Sequence, residues 1–340
     1  MRPLIIWLPA LRSGSGADIF THRLAASLEK AGHKPIVQWF DRRLELMPSL
    51  LKRVRAPENI DVVHANTWQG FAFKREGVPL AVTEHHISLH PLLEKYHSPA
   101  QRFYHRHFVQ RWNRQSYALA SAVVAISSFC AEPLRSVAGE KLRIINNGVD
   151  TNRFCPAQEE VIHHPFRLLF VGNPSRRKGS DLLEPLARRL GPDFEVRCLG
   201  GLRCAHASGD TGGVRYLPGT APDDMPNLYR AADALVVPTR FENFSYVVLE
   251  AMACGLPVIG FARGGTAEQC VDGETGLLCE VDDLDALATN ARRLAADGAL
   301  RHRLGKNARQ RAVKLYSEER CAMAYVNLYR EILAAQSKAA

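Results

Sequence analysis

The chain has 340 residues, long enough for two domains, and its composition of 46% hydrophobic and 23% charged residues is globular rather than disordered. No run of about 18 apolar residues occurs, so no membrane-spanning helix is predicted. The net charge of +9 is uneven: residues 1–150 carry 20 Lys and Arg against 12 Asp and Glu (+8), and residues 151–340 carry 24 against 23 (+1). We therefore expect an anionic partner for the first half, either a membrane surface, a phosphorylated acceptor or a nucleic acid.

The first predicted strand is the apolar stretch PLIIWL. It follows a single charge and ends in a Gly/Ser loop rather than a small-residue cleavage site, so we interpret it as a buried strand and expect a cytoplasmic protein. The loop opens a helix, and Gly14 and Gly16 would let an anionic ligand approach the backbone there. A nicotinamide site is disfavoured, because the third glycine of its motif is absent.

Apolar strands alternate with helical segments along the rest of the chain. Strands are predicted at KPIVQWF, DVVHA, LAVTEH and AVVAIS, and then at FRLLFVG, EVRCLG, VRYLPG, ALVVPT and PVIGF. Continuous runs of Val, Ile and Leu are typical of parallel strands that are buried on both faces. The sequence therefore predicts an α/β protein of two doubly wound halves, each with its ligand edge at the carboxyl ends of the strands.

The domain boundary is predicted in the polar stretch CPAQEEVIHHP, residues 155–165. We divide the chain into a first domain of residues 1–155 and a second of residues 156–318. Residues 319–340 are predicted to form an amphipathic helix that packs back toward the first domain.

Residues 90–120 are both basic and aromatic. The charged and aromatic side chains that interleave there are Arg102, Tyr104, Arg106, Phe108, Arg111, Trp112 and Arg114. Such a surface suits an anionic membrane or a phosphorylated, lipid-linked glycan. The alternative is an ordinary packed helix pair with solvated arginines.

The stretch FVGNPSRRKG follows the first strand of the second half. Arg177 and Lys178 stand at a helix entrance, where two cations beside backbone N–H groups can clamp a diphosphate. A solvated basic turn is the simpler alternative. The pattern is not a Walker loop, which disfavours an ATPase or a kinase.

Two glutamates, Glu242 and Glu250, are separated by seven residues in RFENFSYVVLEAMACG. Glu242 follows a predicted strand, and Ser245 is the candidate N-cap of a helix over residues 246–254. Glu250 lies within that apolar helix and is predicted to be buried. The two vicinal hydroxyls of a ribose would satisfy such a carboxylate.

A metal site is not expected. Eight cysteines are scattered along the chain, and Cys198, Cys204 and His206 lack the second ligand pair of a zinc site, so we interpret the cysteines as reduced core thiols. The acidic stretch at residues 282–285 precedes a helical segment and is interpreted as helix capping.

These motifs together resemble the retaining glycosyltransferases of family 4, which have the GT-B fold of two Rossmann-like domains facing a central cleft. The family's Glu-x(7)-Glu motif matches Glu242 and Glu250. NNGVDTNRF is similar to the interdomain junction, RGGTAEQCVDGETGLL to the glycine-rich loop and VTEHH to the N-domain histidine loop. Two departures occur: residues 243–245 are Asn-Phe-Ser where the family often has Gly-Phe-Gly, and Asn173 replaces a common arginine.

The resemblance implies a role for each matching residue. Arg177 and Lys178 would hold the diphosphate, Glu250 the ribose and Glu242 the hydroxyls of the donor sugar. His85, preferred over His86, would lie beside the reacting sugar. The residues assigned to catalysis are His85, Glu242, Arg177 and Lys178. Those assigned to donor binding are Gly14, Gly16, Gly172, Asn173, Arg177, Lys178, Phe244, Ser245, Tyr246 and Glu250.

The implied activity is retaining transfer of a sugar from a nucleotide-diphosphate sugar, with UDP favoured and GDP-mannose next. Neither cofactor nor metal is expected. The expected acceptor is a glycan or glycolipid, such as a lipopolysaccharide or exopolysaccharide precursor, used at the inner face of the cytoplasmic membrane. One alternative is a soluble synthase with a small-molecule acceptor. Another is a basic nucleic-acid-binding protein, although the chain lacks the signatures of known nucleic-acid modules.

Overall fold

The structure is a computed structural model that describes residues 2–159, 163–200 and 209–339. The chain divides into two compact units, the first formed by Met1–Gly148 with Glu318–Ala340 and the second by Val149–Ser317. The break therefore precedes the boundary expected at 155/156. The residues after it belong to the second unit, because the amide of Val149 donates to the carbonyl of Tyr316 at 2.8 Å.

The first unit contains a sheet of six parallel strands in the order β2-β1-β3-β4-β5-β6. The strands are β1 (Ile5–Leu11), β2 (Lys34–Phe40), β3 (Val62–Asn66), β4 (Leu80–Glu84), β5 (Ala122–Ala125) and β6 (Leu142–Ile144). The inner strands are buried along almost their whole length, as their apolar runs predict. The strand order reverses between β1 and β3, and ligands of open α/β sheets bind outside the carboxyl ends of the strands at such a point.

Helices cover this sheet. They are α1 (Gly16–Lys30), α2 (Gly70–Phe73), α3 (Pro91–Glu94), α4 (Pro99–Tyr104), α5 (Gln110–Leu119), α6 (Ser128–Ala131) and α7 (Arg135–Ala138). Helix α4 begins with a capping box between Ser98 and Gln101, and a π turn over His105–Val109 joins it to α5. Residues 99–119 thus form one helical run rather than a helix pair.

The second unit contains a seven-stranded sheet in the order β13-β12-β11-β7-β8-β10-β9, in which only β9 is antiparallel to its neighbour among the described residues. The strands are β7 (Phe166–Gly172), β8 (Phe194–Gly200), β9 (Gly209–Thr211), β10 (Val214–Leu217), β11 (Ala234–Val237), β12 (Val258–Phe261) and β13 (Gly276–Cys279). The helices are α8 (Leu183–Leu190), α9 (Met225–Arg230), α10 (Tyr246–Ala253), α11 (Gly264–Gln269), α12 (Leu284–Ala296) and α13 (Gly298–Tyr316). Both units therefore have the predicted doubly wound α/β architecture.

Helix α12 begins as the sequence predicts. The Asp283 carboxylate accepts a hydrogen bond from the amide of Ala286 at 2.8 Å, which caps the helix. Its neighbours Asp282 and Asp285 form ion pairs with Arg240 and Arg189. The acidic stretch is thus occupied by capping and ion pairing.

The seven described cysteines are all free thiols, as predicted. Cys204 and His206 lie outside the described residues. Within the described part of the chain, no three or more His, Cys, Asp or Glu side chains are grouped so that they could hold a metal ion. No helix there is both long and apolar enough to cross a membrane.

The C-terminal helix (Glu318–Ala339) packs in the first unit through a buried polar network. The Nδ1 atom of His64, on β3, lies 2.6 Å from the Tyr329 hydroxyl, and Nε2 lies 2.7 Å from the Thr83 hydroxyl. Thr83 also lies 3.1 Å from the Tyr325 hydroxyl. Burial, with a smaller effect of neighbouring His85, lowers the pKa of His64 to about 3, so this imidazole is neutral near pH 7.

Because His64 is buried in its neutral form, we expect the stability of the folded protein to decrease in acid. In the unfolded chain His64 binds a proton at its ordinary pKa of 6.5, whereas the folded protein keeps it neutral down to about pH 3. The contribution of the neutral His64 to the free energy of unfolding is therefore fully present above pH 6.5. It decreases by about 1.4 kcal/mol per pH unit as the pH falls below that value. Urea unfolding of wild type and His64→Gln between pH 5 and 8 should show the difference in unfolding free energy shrinking below pH 6.5.

A matched control is Thr83→Val, which removes one hydrogen-bond partner and keeps the imidazole. This variant should be less stable than wild type but retain its pH dependence. A His64→Gln difference that stays constant down to pH 5 would contradict the assignment.

Candidate active site

In the second unit, two loops lie side by side at the carboxyl edge of the sheet. They follow β7 and β11, which are parallel neighbours. The amide of Arg240 donates to the carbonyl of Arg177 at 2.9 Å, and the Arg177 guanidinium donates to the carbonyl of Phe241 at 2.8 Å. Each loop therefore holds the conformation of the other.

Gly179 closes the turn that carries the two predicted cations. Its φ of +75° is in the left-handed region, and a Cβ atom there would lie 1.9 Å from the carbonyl oxygen of Pro238. Only glycine fits, because both the backbone angle and the adjoining loop exclude a side chain. The turn that presents Arg177 and Lys178 thus requires this residue.

Lys178 and Glu242 form an ion pair between Nζ and Oε2. Their side chains are 23% and 15% exposed, so the pair is partly shielded from water. The sequence assigned these residues to different parts of a donor, the diphosphate and the sugar. The structure places their charged atoms in direct contact.

Glu250 is buried in α10, as predicted, at 6% exposure. Its Oε2 accepts a hydrogen bond of 2.8 Å from the hydroxyl of Tyr229, which is itself fully buried on α9. The sequence pattern predicted ligand hydroxyls as partners of this carboxylate and did not indicate a protein hydroxyl. Tyr229 is separated from Glu250 by 21 positions, and no local pattern connects them.

Ser245 precedes α10 at the predicted N-cap position, but its side chain makes no capping hydrogen bond. Instead, the side-chain amide of Gln269 accepts from the Ser245 amide at 2.9 Å and donates to the Ser245 carbonyl at 2.8 Å. Ser245 is thus the N-cap residue, as predicted, but its hydroxyl does not cap the helix, and a side chain from α11 bonds to the backbone of Ser245 itself. The preceding Phe244 is buried edge-to-face against Tyr316, with ring centroids 5.4 Å apart.

The glycine-rich loop packs closely on the first glutamate. The amide of Gly265 donates to the carbonyl of Glu242 at 2.8 Å, and a Cβ atom on Gly265 would lie 2.0 Å from the carbonyl oxygen of Asn243. A larger residue would displace the loop that carries Glu242.

In the first unit, His85 directly follows β4. Its ring lies edge-to-face on Phe20 of α1, with centroids 4.5 Å apart. Burial of the imidazole lowers the pKa of His85 to about 4, so the ring is neutral near pH 7. A neutral imidazole can donate one hydrogen bond and accept another.

The Gly/Ser loop after β1 is organised by Asp18. This carboxylate accepts from the amides of Ser13 and Gly14 at 2.9 and 2.8 Å. Gly14 has a φ of +63°, whereas a Cβ atom on Gly16 would meet nothing within 4 Å. The loop thus needs glycine at residue 14 for its backbone angle, and a protein carboxylate already bonds to two of its amides.

Two family models match the chain in sequence. The model for glycosyl transferases group 1 matches residues 154–311, and that for glycosyltransferase family 4 matches residues 37–153. The D-inositol 3-phosphate glycosyltransferase 1 of Catenulispora acidiphila is 30% identical over 74% of this chain and 70% of its own length. The chain belongs to glycosyltransferase family 4. A relative of the same activity name from Salinispora tropica is 30% identical over 83% of this chain, which spans 66% of that relative.

Solved structures show that the chain has the GT-B fold. A sucrose-phosphate synthase from Thermosynechococcus elongatus superposes with a TM-score of 0.79 at 23% identity, covering 98% of this chain and 100% of its own. HepE from Anabaena, in complex with UDP-glucose, gives 0.73 at 19% identity over 98% and 100%. At these identities the likeness establishes the fold.

Within this family 4 chain, the predicted site residues fall into two groups. Gly172 and Asn173 begin the loop that contains Arg177 and Lys178, and that loop meets Glu242. The helix that starts at Tyr246 carries Glu250. The first unit holds His85 with Gly14 and Gly16.

Arg240 is a residue of this site that the sequence analysis missed. Its guanidinium donates to the carbonyl of Arg176, to Asp181 at 2.8 Å and to Asp282. Burial opposes its charge, but the two aspartates outweigh burial and raise the pKa of Arg240. The Arg240 side chain stays charged and holds the loop of Arg177 and Lys178 at the sheet edge through these hydrogen bonds. Its partners are 42 to 64 positions away, so only the folded chain brings them together.

We expect Arg240→Ala to destabilise the second unit by about 1–3 kcal/mol, because it leaves a carbonyl and two carboxylates without their donor in a partly buried site. A matched control is Arg189→Ala, which removes the exposed ion pair to Asp285 and should cost about 0–1 kcal/mol. Urea unfolding of both variants compares them. Equal losses would show that Arg240 acts as an ordinary surface charge.

Proposed function

We propose that this chain transfers a sugar from a nucleotide-diphosphate sugar to a hydroxyl of a small, phosphorylated acceptor, with retention of configuration. The observation that carries the proposal is the pairing of Lys178 with Glu242 at the carboxyl edge of β7 and β11, beside the Arg177 guanidinium that donates to the carbonyl of Phe241. The names of the relatives support the acceptor class, since D-inositol 3-phosphate is a small phosphorylated molecule. UDP is favoured as the nucleotide, with support from the UDP-glucose bound to the fold neighbour HepE.

The cations would hold the diphosphate and stabilise the charge that develops on the leaving group. The Lys178–Glu242 pair is compatible with this role, because an ammonium has three N–H donors and can bond to a phosphate oxygen as well as to a carboxylate. Glu242, held by that pair, would then accept from hydroxyls of the donor sugar. The pair thereby places the carboxylate for the sugar beside the cation for the diphosphate.

Glu250 would accept from the ribose hydroxyls. A carboxylate can accept about four hydrogen bonds, so the bond from Tyr229 is compatible with ligand hydroxyls on the same group. Tyr229 would hold the carboxylate in place before the nucleotide binds, which lowers the ordering cost of binding.

His85 would donate from its neutral ring to a hydroxyl of the reacting sugar. In a retaining reaction of this kind the leaving phosphate would take the proton of the acceptor, so catalysis would rest on positioning and on the cations. That transfer needs no metal ion stays a prediction of the sequence.

The two glutamates test the proposal. Charge-assisted hydrogen bonds contribute about 1.5–3 kcal/mol, so Glu250→Gln should weaken binding of UDP and UDP-glucose together by at least about tenfold. Glu242→Gln should reduce turnover of UDP-glucose and leave UDP binding nearly unchanged, since UDP lacks the sugar. Titration calorimetry with both ligands measures these affinities.

Tyr229→Phe is the matched control, because it removes the protein hydroxyl and leaves the Glu250 carboxylate. Its effect on UDP affinity should be smaller than that of Glu250→Gln. If Glu250→Gln binds UDP like wild type, the ribose assignment is wrong and the carboxylate serves only the protein.

A second candidate acceptor is a lipid-linked glycan at an anionic membrane. The observation that favours it is a surface of the first unit, which we call the basic apolar face, formed by residues 42–53 and 99–114. Its exposed apolar side chains are Leu46, Met47, Leu50, Phe103 and Phe108. The Tyr104 hydroxyl donates to the carbonyl of Glu45 at 3.2 Å, which places the two segments next to each other.

The same two segments carry exposed cations: Arg42, Arg43, Lys52, Arg53, Arg102, Arg106, Arg111 and Arg114. Apolar side chains among cations suit the headgroup region of an anionic bilayer. The small acceptor and the lipid acceptor are separated by whether transfer requires vesicles.

We expect the chain to sediment with vesicles that contain phosphatidylserine and not with neutral ones, and binding should weaken with added salt. Phe103→Ser with Met47→Ser should reduce binding, and Arg102→Ser with Arg111→Ser should reduce it by roughly fivefold per charge. The control is Val313→Ser, an exposed apolar residue of the second unit at 43% exposure. Binding that is absent, or independent of lipid charge, would leave the small acceptor as the proposal.

A further inference from the structure

Glu84, the last residue of β4, has a buried carboxylate that no step of the proposed transfer uses. The residue is 1% exposed. Three donors converge on Oε2: the Tyr117 hydroxyl at 2.6 Å, the Thr67 hydroxyl at 2.9 Å and the Asn113 side-chain amide at 3.4 Å. The other oxygen, Oε1, accepts from the backbone amide of His86 at 3.0 Å.

Burial of the Glu84 carboxylate costs desolvation free energy, which packing alone would not require. Burial raises the pKa of Glu84, and the hydrogen bonds from Tyr117, from the His86 amide and from Thr67 work against that shift. An apolar side chain of similar volume fills a core position without any desolvation cost. Unlike an apolar side chain, a polar network in which every group is hydrogen-bonded fixes the position of each of its members, because hydrogen bonds are directional.

The geometry that the network specifies is that of His85. The bond from the side chain of residue 84 to the amide of residue 86 spans His85 and restricts the backbone on both sides of it. The carbonyl of Glu84 also accepts from the Cys130 thiol at 3.5 Å. Phe20 packs edge-to-face on the His85 ring. The backbone clamp and the ring contact together restrict the direction of the imidazole.

We propose that Glu84 is a positioning residue, whose carboxylate holds the His86 amide and thereby aims the His85 imidazole. The inference rests on the proposed function only for what His85 is aimed at. Tyr117 and Asn113 come from α5 and Thr67 follows β3, so two separate parts of the first unit hold the Glu84 carboxylate and, through it, the direction of His85.

The variant that tests this is Glu84→Met, which keeps a similar volume and removes all four hydrogen bonds, so the clamp on the His86 amide is lost. Glu84→Gln is the matched control. The His86 amide can only donate, whereas the Tyr117 and Thr67 hydroxyls and the Asn113 side-chain amide can also accept, so the new amide oxygen stays on His86 and the clamp is kept. Bound UDP should protect the variant from thermal unfolding as it protects wild type, which confirms that the second unit is folded.

The first readout needs no activity. NMR titration of the His85 ring, identified by its loss in His85→Gln, should have its midpoint near pH 4 in wild type, the pKa that burial produces. In Glu84→Met the midpoint should rise toward the ordinary 6.5 as the ring moves into water, whereas Glu84→Gln should keep the wild-type midpoint. An unchanged midpoint and unchanged ring shifts in Glu84→Met would overturn the proposal. A Glu84→Leu variant gives the same comparison if the Glu84→Met variant does not fold.

The second readout is turnover with UDP-glucose. Misplacement of a group by about 1 Å can cost 10²-fold, so kcat should fall by about 10²-fold in Glu84→Met while the affinity for UDP stays constant. In a His85→Ala background the same substitution should have little further effect, because Glu84 acts through His85. Additive losses would overturn the proposal. A moved titration midpoint with unchanged kcat would instead retain the positioning role and refute the role of His85 in transfer.

Discussion

The parallel pairing of β7 with β11 is the constraint on which the donor side of this molecule depends. Because neighbouring parallel strands end at the same edge, the loops after them must share that edge, although they are more than 60 positions apart in sequence. The contacts between Arg177, Arg240 and Phe241 then follow from proximity. Gly179 and Gly265 allow backbone to approach backbone at the two points where these loops are tightest.

The two units stabilise their buried ionisable side chains in different ways. In the second unit the shielded charges are paired, Lys178 with Glu242 and Arg240 with two aspartates. In the first unit the buried carboxylate of Glu84 is surrounded by hydroxyl and amide donors, and the histidines His64 and His85 are kept neutral. Each solution avoids an unpaired charge in a low dielectric.

Much of this could be predicted from the sequence, because strand ends and helix positions follow from local patterns. Apolar runs locate the strands, and Glu242 and His85 follow strands while Glu250 lies within an apolar helix. The side-chain partners could not be predicted in the same way. Tyr229 on Glu250, Arg240 on Asp181 and Tyr329 on His64 join residues that only the tertiary fold brings together. The contact of Gln269 with the backbone of the N-cap residue Ser245 could not be predicted for the same reason, since Gln269 belongs to another helix.

The two hydrogen bonds between Gln269 and Ser245 make the backbone conformation of this loop independent of the Ser245 side chain. Both backbone groups of residue 245 are satisfied from outside the loop, by a side chain that belongs to a different segment. The backbone therefore keeps its course at this point without a capping bond from the Ser245 hydroxyl. The helix therefore does not depend on a hydroxyl at this position, which agrees with the glycine that the family often has there, and the burial of Ser245 restricts the position to small side chains.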